Sequence, residues 1–359
     1  MQQNPTANIM EHFSEIEDPR RYNKRHLLHD IIVIAICAAI CGADDWAAVE
    51  EFGRAKQSWL ETFLELPHGI PSHDTFGRVF GLLDAEQFQE CFIRWIEAVN
   101  EVTEGQIVPI DGKKLRRSHD KTLGKDAIHM VSAWATENSV VLGQIKVDDK
   151  SNEITAIPQL LDLLALSGCI VTIDAMGCQK EIARKIVVEK DADYVLALKG
   201  NQGSLFEDVK GLFDRAQESG FAGCDYHRTE EKGHGRVEVR ERWTSSAPEY
   251  LACIRNLEDW EGLQTVIMVR AEREEGDKKS AETRYYISSL DSDARQALRA
   301  VRGHWEIENK VHWVLDIAFR EDESRIRKGN GAQNFAVLRH IALNLLKQFP
   351  CQGSRPALR

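Results

Sequence analysis

The chain has 359 residues, a net charge of −11 and a globular composition with 43% hydrophobic and 29% charged residues. This length allows two or three domains with a substantial buried core. The longest apolar run, from Ile31 to Cys41, is too short to span a bilayer, and the polar start of the chain does not resemble a signal peptide. The short apolar run leads us to expect no membrane partner. The eight cysteines show no paired CxxC spacing, so we expect reduced thiols and a cytoplasmic location.

The first hundred residues are predicted to be helical. A helix is expected from about His26 to Cys41, and Asp45 is a candidate N-cap for the next. The predicted helix 72–83 has a polar face suited to the second helix of a helix-turn-helix motif. A plain helical bundle is an equally good interpretation of the same pattern.

From residue 105 onward, apolar runs predict a sheet. The predicted strands are 106–111, 128–136, 140–147, 169–175 and 193–199, with helices at 154–166 and 179–190. A three-strand meander followed by alternating helices and strands indicates a mixed sheet with helices packed on it. Asp111 and Asp174 fall at the ends of the first and fourth strands, so they would face each other if those strands are neighbours.

The remaining chain predicts two further regions. Residues 203–290 are polar and β-leaning, whereas helices are expected near Ser292, over 305–315 and over 332–348. The last residues, Pro350 to Arg359, are expected to be disordered. The predicted domains are therefore a helical, DNA-binding domain at 1–100, a first part of a catalytic core at 101–202, a β-rich insertion at 203–290 and C-terminal helices of the core at 291–359.

A third carboxylate, Glu308, stands in the segment Arg302-Gly-His-Trp-Glu-Ile-Glu-Asn309, which reads as the opening of a helix. Three carboxylates brought together repel one another unless cations bind between them, which is the logic of a Mg²⁺ site for phosphoryl transfer. Each has a structural alternative. Asp111 precedes a glycine and suits a turn, Asp174 suits a helix N-cap, and Glu308 suits a solvated helix face.

This ordered set of residues resembles the DDE transposases of bacterial insertion sequences, and more narrowly their H-repeat-associated subgroup. The resemblance covers nearly the whole chain. The segments that carry it are Asp111-Gly-Lys-Lys, Leu198-Lys-Gly-Asn-Gln202, Arg302 to Asn309, His312-Trp-Val-Leu-Asp316, Arg325-Ile-Arg-Lys-Gly-Asn330 and Gln333 to Arg339.

The resemblance implies an α/β fold, namely a ribonuclease H-like mixed sheet flanked by helices, with an N-terminal helical domain and a β-rich insertion. It implies a Mg²⁺-dependent transposase, with Mn²⁺ as a substitute, in which Asp111, Asp174 and Glu308 bind the metal and are catalytic. The implied partners are double-stranded DNA, as element ends and target, and a second copy of the chain when DNA is bound. Two alternatives stay open: an inactive relic that only binds DNA, and a ribonuclease H-like nuclease acting on host nucleic acid.

Further residues are candidate DNA contacts because they are polar or basic and lie near the predicted carboxylate site or in the insertion. They are Lys113, Lys114, Arg116, Lys199, Asn201, Gln202, Arg236, Arg302, His304 and His312. The broader family has Tyr, Arg and Lys where this chain has Val301, His304 and Leu315. We expect Trp305 and Trp313 to lie in the core rather than to stack on bases.

Overall fold

The computed structural model describes residues 8–22, 24–101, 103–119, 126–148, 151–233, 236–276 and 278–348. The helices are α1 (Ile9–Phe13), α2 (Leu28–Ile40), α3 (Trp46–Ala55), α4 (Gln57–Leu60), α5 (His73–Leu82), α6 (Ala85–Val99), α7 (Glu153–Leu163), α8 (Lys180–Arg184), α9 (Gly203–Glu218), α10 (Pro248–Leu251), α11 (Ala294–Ile307), α12 (Trp313–Ile317) and α13 (Gly331–Gln348). The strands are β1 (Ile107–Lys114), β2 (His129–Ala135), β3 (Val140–Lys146), β4 (Ile170–Ile173), β5 (Asp193–Leu198), β6 (Asp225–Gly233), β7 (Arg236–Ser245), β8 (Thr265–Glu275) and β9 (Lys278–Ser288).

These elements confirm the predicted fold class, an α/β protein with a mixed sheet flanked by helices. Across the described ranges, no helix combines the length and the apolar character needed to cross a bilayer. The segment Pro350 to Arg359, predicted to be disordered, lies outside the described residues.

Three helices begin where polar side chains satisfy their first free N–H groups. The side chain of Asp45 accepts a hydrogen bond from the backbone N of Ala48 at 2.8 Å at the start of α3. Ser72 caps α5, and Asp84 accepts from the backbone N of Gln87 at 2.9 Å at the start of α6. Such caps stabilise a helix by about 1 kcal/mol each, and the first of them, Asp45, is the N-cap expected from the sequence.

The chain forms two compact units, each built from separate stretches of sequence. The first comprises Met1–Glu101, Gly112–Asn152 and Ile307–Arg359, and the second comprises Val102–Asp111 and Glu153–Glu306. Strand β1 contributes residues to both units, because the division falls between its fifth and sixth residues, Asp111 and Gly112. The linear four-part division of domains stays a prediction.

Helix α13 is the central element of the first unit. It packs against α2, α5, α6 and β3, and most of its length is buried. Strand β2 pairs with β3 on one side and β1 on the other. The buried amide of Asn344 on α13 donates to the Val141 carbonyl and accepts from the Val141 N–H, both at 2.9 Å. Because β3 ends the strand order, this amide pairs backbone groups that a further strand would otherwise have to satisfy.

The second unit contains the strand order β1-β4-β5-β9-β8-β7-β6. Strands β1, β4 and β5 are parallel, whereas β9, β8, β7 and β6 continue from β5 in antiparallel pairs. Helix α11 covers this sheet with Ala297, Ala300 and Val301, which pack in one cluster with Ile107 and Ile170. The apolar face of α11 therefore fixes it over the strands that precede Asp111 and Asp174.

Residues 203–290 differ from the β-leaning region that the sequence predicts. Their first part is the 16-residue helix α9, which buries Leu205, Val209, Leu212 and Phe213. These residues recur at helical spacing, but the polar composition of the helix and its glycines weaken the pattern. The rest of the region is strand-rich, as predicted.

Candidate active site

Asp111 and Asp174 belong to neighbouring parallel strands of the second unit. The register pairs Ile110 of β1 with Ile173 of β4, so each aspartate is the residue that follows the last paired position. The two strands are therefore neighbours, which is the condition on which the sequence analysis expected the carboxylates to face each other. Asp111 is not a turn residue, however, because β1 continues through it to Lys114. Both carboxylates are partly exposed.

Asp174 directly follows β4 and begins a turn. Its Oδ1 accepts hydrogen bonds from the backbone N of Met176 at 2.9 Å and of Gly177 at 3.4 Å. Asp174 is therefore not the helix N-cap considered from the sequence, because Gln179 holds that position before α8, but its side chain does have a structural role in this turn. A carboxylate has two oxygens, so Asp174 can hold this turn and still offer Oδ2 to a cation.

The amide side chains of Asn201 and Gln202 support the same turn. Asn201 donates to the Ala175 carbonyl at 2.6 Å, and Gln202 donates to the Cys178 carbonyl at 2.8 Å. Both bonds join the loop after β5 to the loop after β4. These two predicted DNA contacts thus hold the backbone next to Asp174 in place.

Glu308 lies in the first unit, where it begins a π-helical turn, Glu308–His312, that continues α11. The segment Arg302–Asn309 therefore spans the last residues of α11 and the start of this turn, and is not the opening of a helix. The Nδ1 of His312 donates a hydrogen bond to Glu308 Oε2 at 3.0 Å. The side chain of His312 is 5% exposed, whereas that of Glu308 is 58% exposed. This hydrogen bond is the main reason why the pKa of Glu308 lies below 4.5, with a further contribution from Lys113. Turns of π-helix are rare and occur frequently at functional sites.

Lys113 is 12% exposed and is surrounded by carboxylates within the first unit. Its ammonium donates to Asp316, to Glu321 Oε2 at 2.8 Å, and to the carbonyl of His312 at 3.5 Å. Burial alone would lower the pKa of Lys113, but the two carboxylates raise it above 10.5. The sequence placed this lysine among the DNA contacts and gave no sign of its acidic partners.

The other predicted DNA contacts differ in exposure. Lys114, Arg116, Lys199 and Arg236 are exposed, and Arg116 pairs with Asp322 at 3.1 Å. Arg302 forms an ion pair with Glu231 of β6. The Nδ1 of His304 is 3.2 Å from Thr172 Oγ1 on β4.

The expected burial of two tryptophans is wrong. Trp305 is 46% exposed and Trp313 is 60% exposed. The guanidinium of Arg284 lies 4.9 Å from the centre of the Trp305 ring, which gives that ring a cationic neighbour. Val301 and Leu315, which stand where the broader family has Tyr and Lys, are buried apolar residues. Neither can offer a polar group to a substrate.

Two family models match the chain. The model described as "Transposase DDE domain" matches residues 102–345, and the model described as "DDE_Tnp_1-associated" matches residues 10–96. The chain belongs to the Transposase DDE domain family.

Close relatives support the same placement. YncI of Escherichia coli O157:H7, whose name describes a transposase, is 46% identical over 344 residues, which cover 94% of this chain and 87% of YncI. YhhI of Escherichia coli K12, named as H repeat-associated, is 42% identical over 343 residues, which cover 94% of this chain and 90% of YhhI. These relatives confirm the resemblance to the H-repeat-associated subgroup.

Solved structures also match. One of them is the cryo-EM structure of the piggyBac transposase synaptic complex with hairpin DNA, at a TM-score of 0.44 and 12% sequence identity, covering 97% of this chain and 73% of that chain.

Proposed function

We propose that this protein is a transposase that cleaves the DNA ends of an insertion sequence and joins them to target DNA, with Asp111, Asp174 and Glu308 as the metal-binding catalytic residues. Family membership supports the reaction class. The observation that carries the choice of residues is the register of β1 and β4, in which Asp111 and Asp174 follow directly paired positions. Because two DNA ends must be joined in one event, we propose that a homodimer acts on the DNA.

Mg²⁺, with Mn²⁺ as a substitute, is the cofactor that suits these residues. Mg²⁺ prefers oxygen ligands and is commonly held by one or two carboxylates, whereas Zn²⁺ prefers nitrogen and sulfur. The proposed donors are all carboxylate oxygens. The lowered pKa of Glu308 keeps it ionised at neutral pH, as a cation ligand must be.

A bound cation would lower the pKa of the attacking water or hydroxyl and stabilise the leaving 3′ oxygen. In the first step, water attacks phosphorus at the element end and the P–O3′ bond breaks, which frees a 3′-hydroxyl. In the second step, that hydroxyl attacks a target phosphodiester and a target 3′-hydroxyl leaves. The carboxylates contribute charge and position, and His312 orients Glu308 through its hydrogen bond.

Replacement of a triad carboxylate tests the assignment. Asp111→Asn and Glu308→Gln should each lower cleavage by at least about 10³-fold, since charge stabilisation by the metal is worth several kcal/mol. DNA binding should stay near the wild-type level. The measurement is strand transfer by purified protein, with labelled duplexes that carry the element's own ends, a target plasmid and Mg²⁺ or Mn²⁺.

Asp214→Asn is the matched control, because Asp214 is an exposed carboxylate on α9. It should retain full activity. Full cleavage by the Asp111 or Glu308 variants would reject the triad. Wild-type protein that binds ends without cutting them would indicate the DNA-binding relic, and cleavage without joining would indicate the nuclease.

A further inference from the structure

The first unit contains a cleft of about 800 Å³ that the triad does not use. One wall is formed by the N-terminal ends of α3 and α5, and the other by the segment 320–329. Besides Arg320, four exposed cationic side chains line it, Arg78 on α5 and Arg325, Arg327 and Lys328 on the segment.

The acidic residues of the cleft already have roles within the protein. Asp45 caps α3, Asp74 lies 3.7 Å from His73 Nε2, and Glu323 pairs with Arg320. The hydrogen bond and charge of Glu323 raise the pKa of Arg320, and the charge of Asp44 makes a smaller contribution in the same direction.

The other four cationic side chains of the cleft differ from Arg320 in their ion pairing. Across the described parts of the chain, Arg78, Arg325, Arg327 and Lys328 form no ion pair with a carboxylate. Their charges are therefore available to a ligand, and with Arg320 the five cations of the cleft outnumber its four carboxylates by one, although the chain carries −11 overall.

The loop that carries three of these cations is held rigidly against α5. The backbone N of Asn330 donates to the Gly81 carbonyl at 3.1 Å, and its side chain donates to the Leu83 carbonyl at 3.0 Å. Gly329 has a φ of 54°, and a Cβ on it would lie 2.1 Å from the Gly81 oxygen. Ile326 is buried beneath the loop. A ligand would thus meet positioned charges and lose little free energy in ordering the loop.

We infer that this cleft binds backbone phosphates of duplex DNA. Guanidinium and ammonium groups that are not paired with carboxylates suit phosphate oxygens, and guanidinium can bind them in a bidentate manner. Such contacts position the DNA and add affinity without reading its sequence. The inference rests on the proposed DNA substrate, and its residues are different from the ten DNA contacts predicted from sequence.

The test is the salt dependence of DNA binding. The double variant Arg325→Gln, Lys328→Gln removes two charges and spares Arg327, whose guanidinium also donates to the Arg117 carbonyl. Each lost phosphate contact should reduce the slope of log K against log salt by about 0.9, so the double variant should lose about 1.8. The measurement is fluorescence anisotropy with a labelled duplex, from about 50 to 200 mM salt and without divalent metal.

Lys210→Gln, Arg295→Gln is the matched control, because it removes two exposed cations from α9 and α11. Its slope should equal that of the wild type. An unchanged slope in the cleft variant, or an equal loss in the control, would overturn the inference while end cleavage could still proceed. Wild-type protein that binds no duplex at all would overturn both the inference and the proposed function.

Discussion

At the scale of single residues, the first unit contains a buried cluster of charged side chains that includes Lys113 of β1. Glu321 is 3% exposed and lies between Lys113, at 2.8 Å, and Arg339, at 3.7 Å. Burial alone would raise the pKa of Glu321, but the charges of Lys113 and Arg339 hold it below 4.5. Charges that are taken out of water need their partners, because an isolated buried charge costs several kcal/mol.

Loss of Lys113 should therefore destabilise the fold. Lys113→Met leaves the buried Glu321 with too little positive charge and should lower the free energy of unfolding by about 3–5 kcal/mol. Urea denaturation followed by circular dichroism measures this change. Lys114→Met is the control, since Lys114 is exposed and its loss should change stability by less than about 0.5 kcal/mol. Equal effects of the two variants would show that the ion pairs contribute nothing.

His340 makes stability depend on pH. It is 2% exposed, and within the described chain neither ring nitrogen has a hydrogen-bond partner. Burial lowers its pKa to about 4, despite the opposing charge of Glu321, from an ordinary value of 6.5. In the unfolded chain, the His340 ring therefore becomes protonated as the pH falls through about 6.5. In the native state, it becomes protonated only near pH 4. The stability from the neutral ring is complete above pH 6.5 and is lost as the pH falls toward 4.

The free energy of unfolding should accordingly fall by about 3 kcal/mol between pH 6.5 and 4 because of this residue. Urea denaturation at a series of pH values measures the fall. His340→Leu should make the profile shallower over this window, whereas replacement of the exposed His68 by Gln should leave it unchanged. A His340→Leu profile that runs parallel to the wild type would contradict the assignment.

Single residues differ in how far the sequence predicts their surroundings. The positions of Asp111 and Asp174 at strand ends could be predicted because both follow apolar runs, whereas the pairing of their strands could not. The partners of Lys113 could not, since Asp316 lies 203 residues further along the chain and no local pattern links them. Trp305 and Trp313 were placed in the core because large apolar rings usually are, and both are exposed.

At the scale of elements, the contact of α11 with β1 depends on one small residue. Gly303 is buried on α11, and a Cβ there would lie 2.9 Å from Ile107 Cγ2. Glycine costs a helix about 1 kcal/mol relative to alanine, so its presence in a helix has to be offset by something else. The close packing of α11 against β1, which a larger residue would prevent, offsets this cost.

Gly303→Ala should consequently destabilise the protein by about 1–3 kcal/mol, because overpacking outweighs the gain in helix propensity. Gly211→Ala on α9 is the matched control: the nearest atom to its added Cβ is the end of the Arg215 side chain at 3.6 Å. That variant should be neutral or stabilising by up to about 1 kcal/mol. Thermal denaturation of both proteins compares them, and a stabilising Gly303→Ala would refute the proposed close packing.

Elements with a local signal were predictable and those without one were not. The caps Asp45, Ser72 and Asp84 mark the starts of three helices. Helix α9 has no side-chain cap at Gln202, and its glycines and charges conceal the apolar face. The hydrogen bonding of β9 to β5 depends on tertiary pairing across 90 residues or so, which a window of sequence does not contain.

At the scale of the whole molecule, neither unit is a continuous stretch of chain. The first unit takes its N-terminal helices from Met1–Glu101 and its helix α13 from the last part of the sequence. Sequence patterns are read in order along the chain and favour a linear division. Separate family models for residues 10–96 and 102–345 follow the same linear order. Folding instead depends on which apolar faces cover one another.

The isolated fragment 1–101 should therefore not fold by itself. Its helices α2, α5 and α6 bury their apolar faces against α13, whose Phe335 also contacts the ring of Trp46 at a centroid distance of 4.9 Å. Without α13, that surface is exposed to water, and the fragment should show weak helicity and no cooperative urea transition. A fusion of 1–101 through a flexible linker to 318–348 should recover helicity and some cooperativity, because it restores the missing helix. A sharp transition in the unfused fragment would instead establish the N-terminal helices as an autonomous domain.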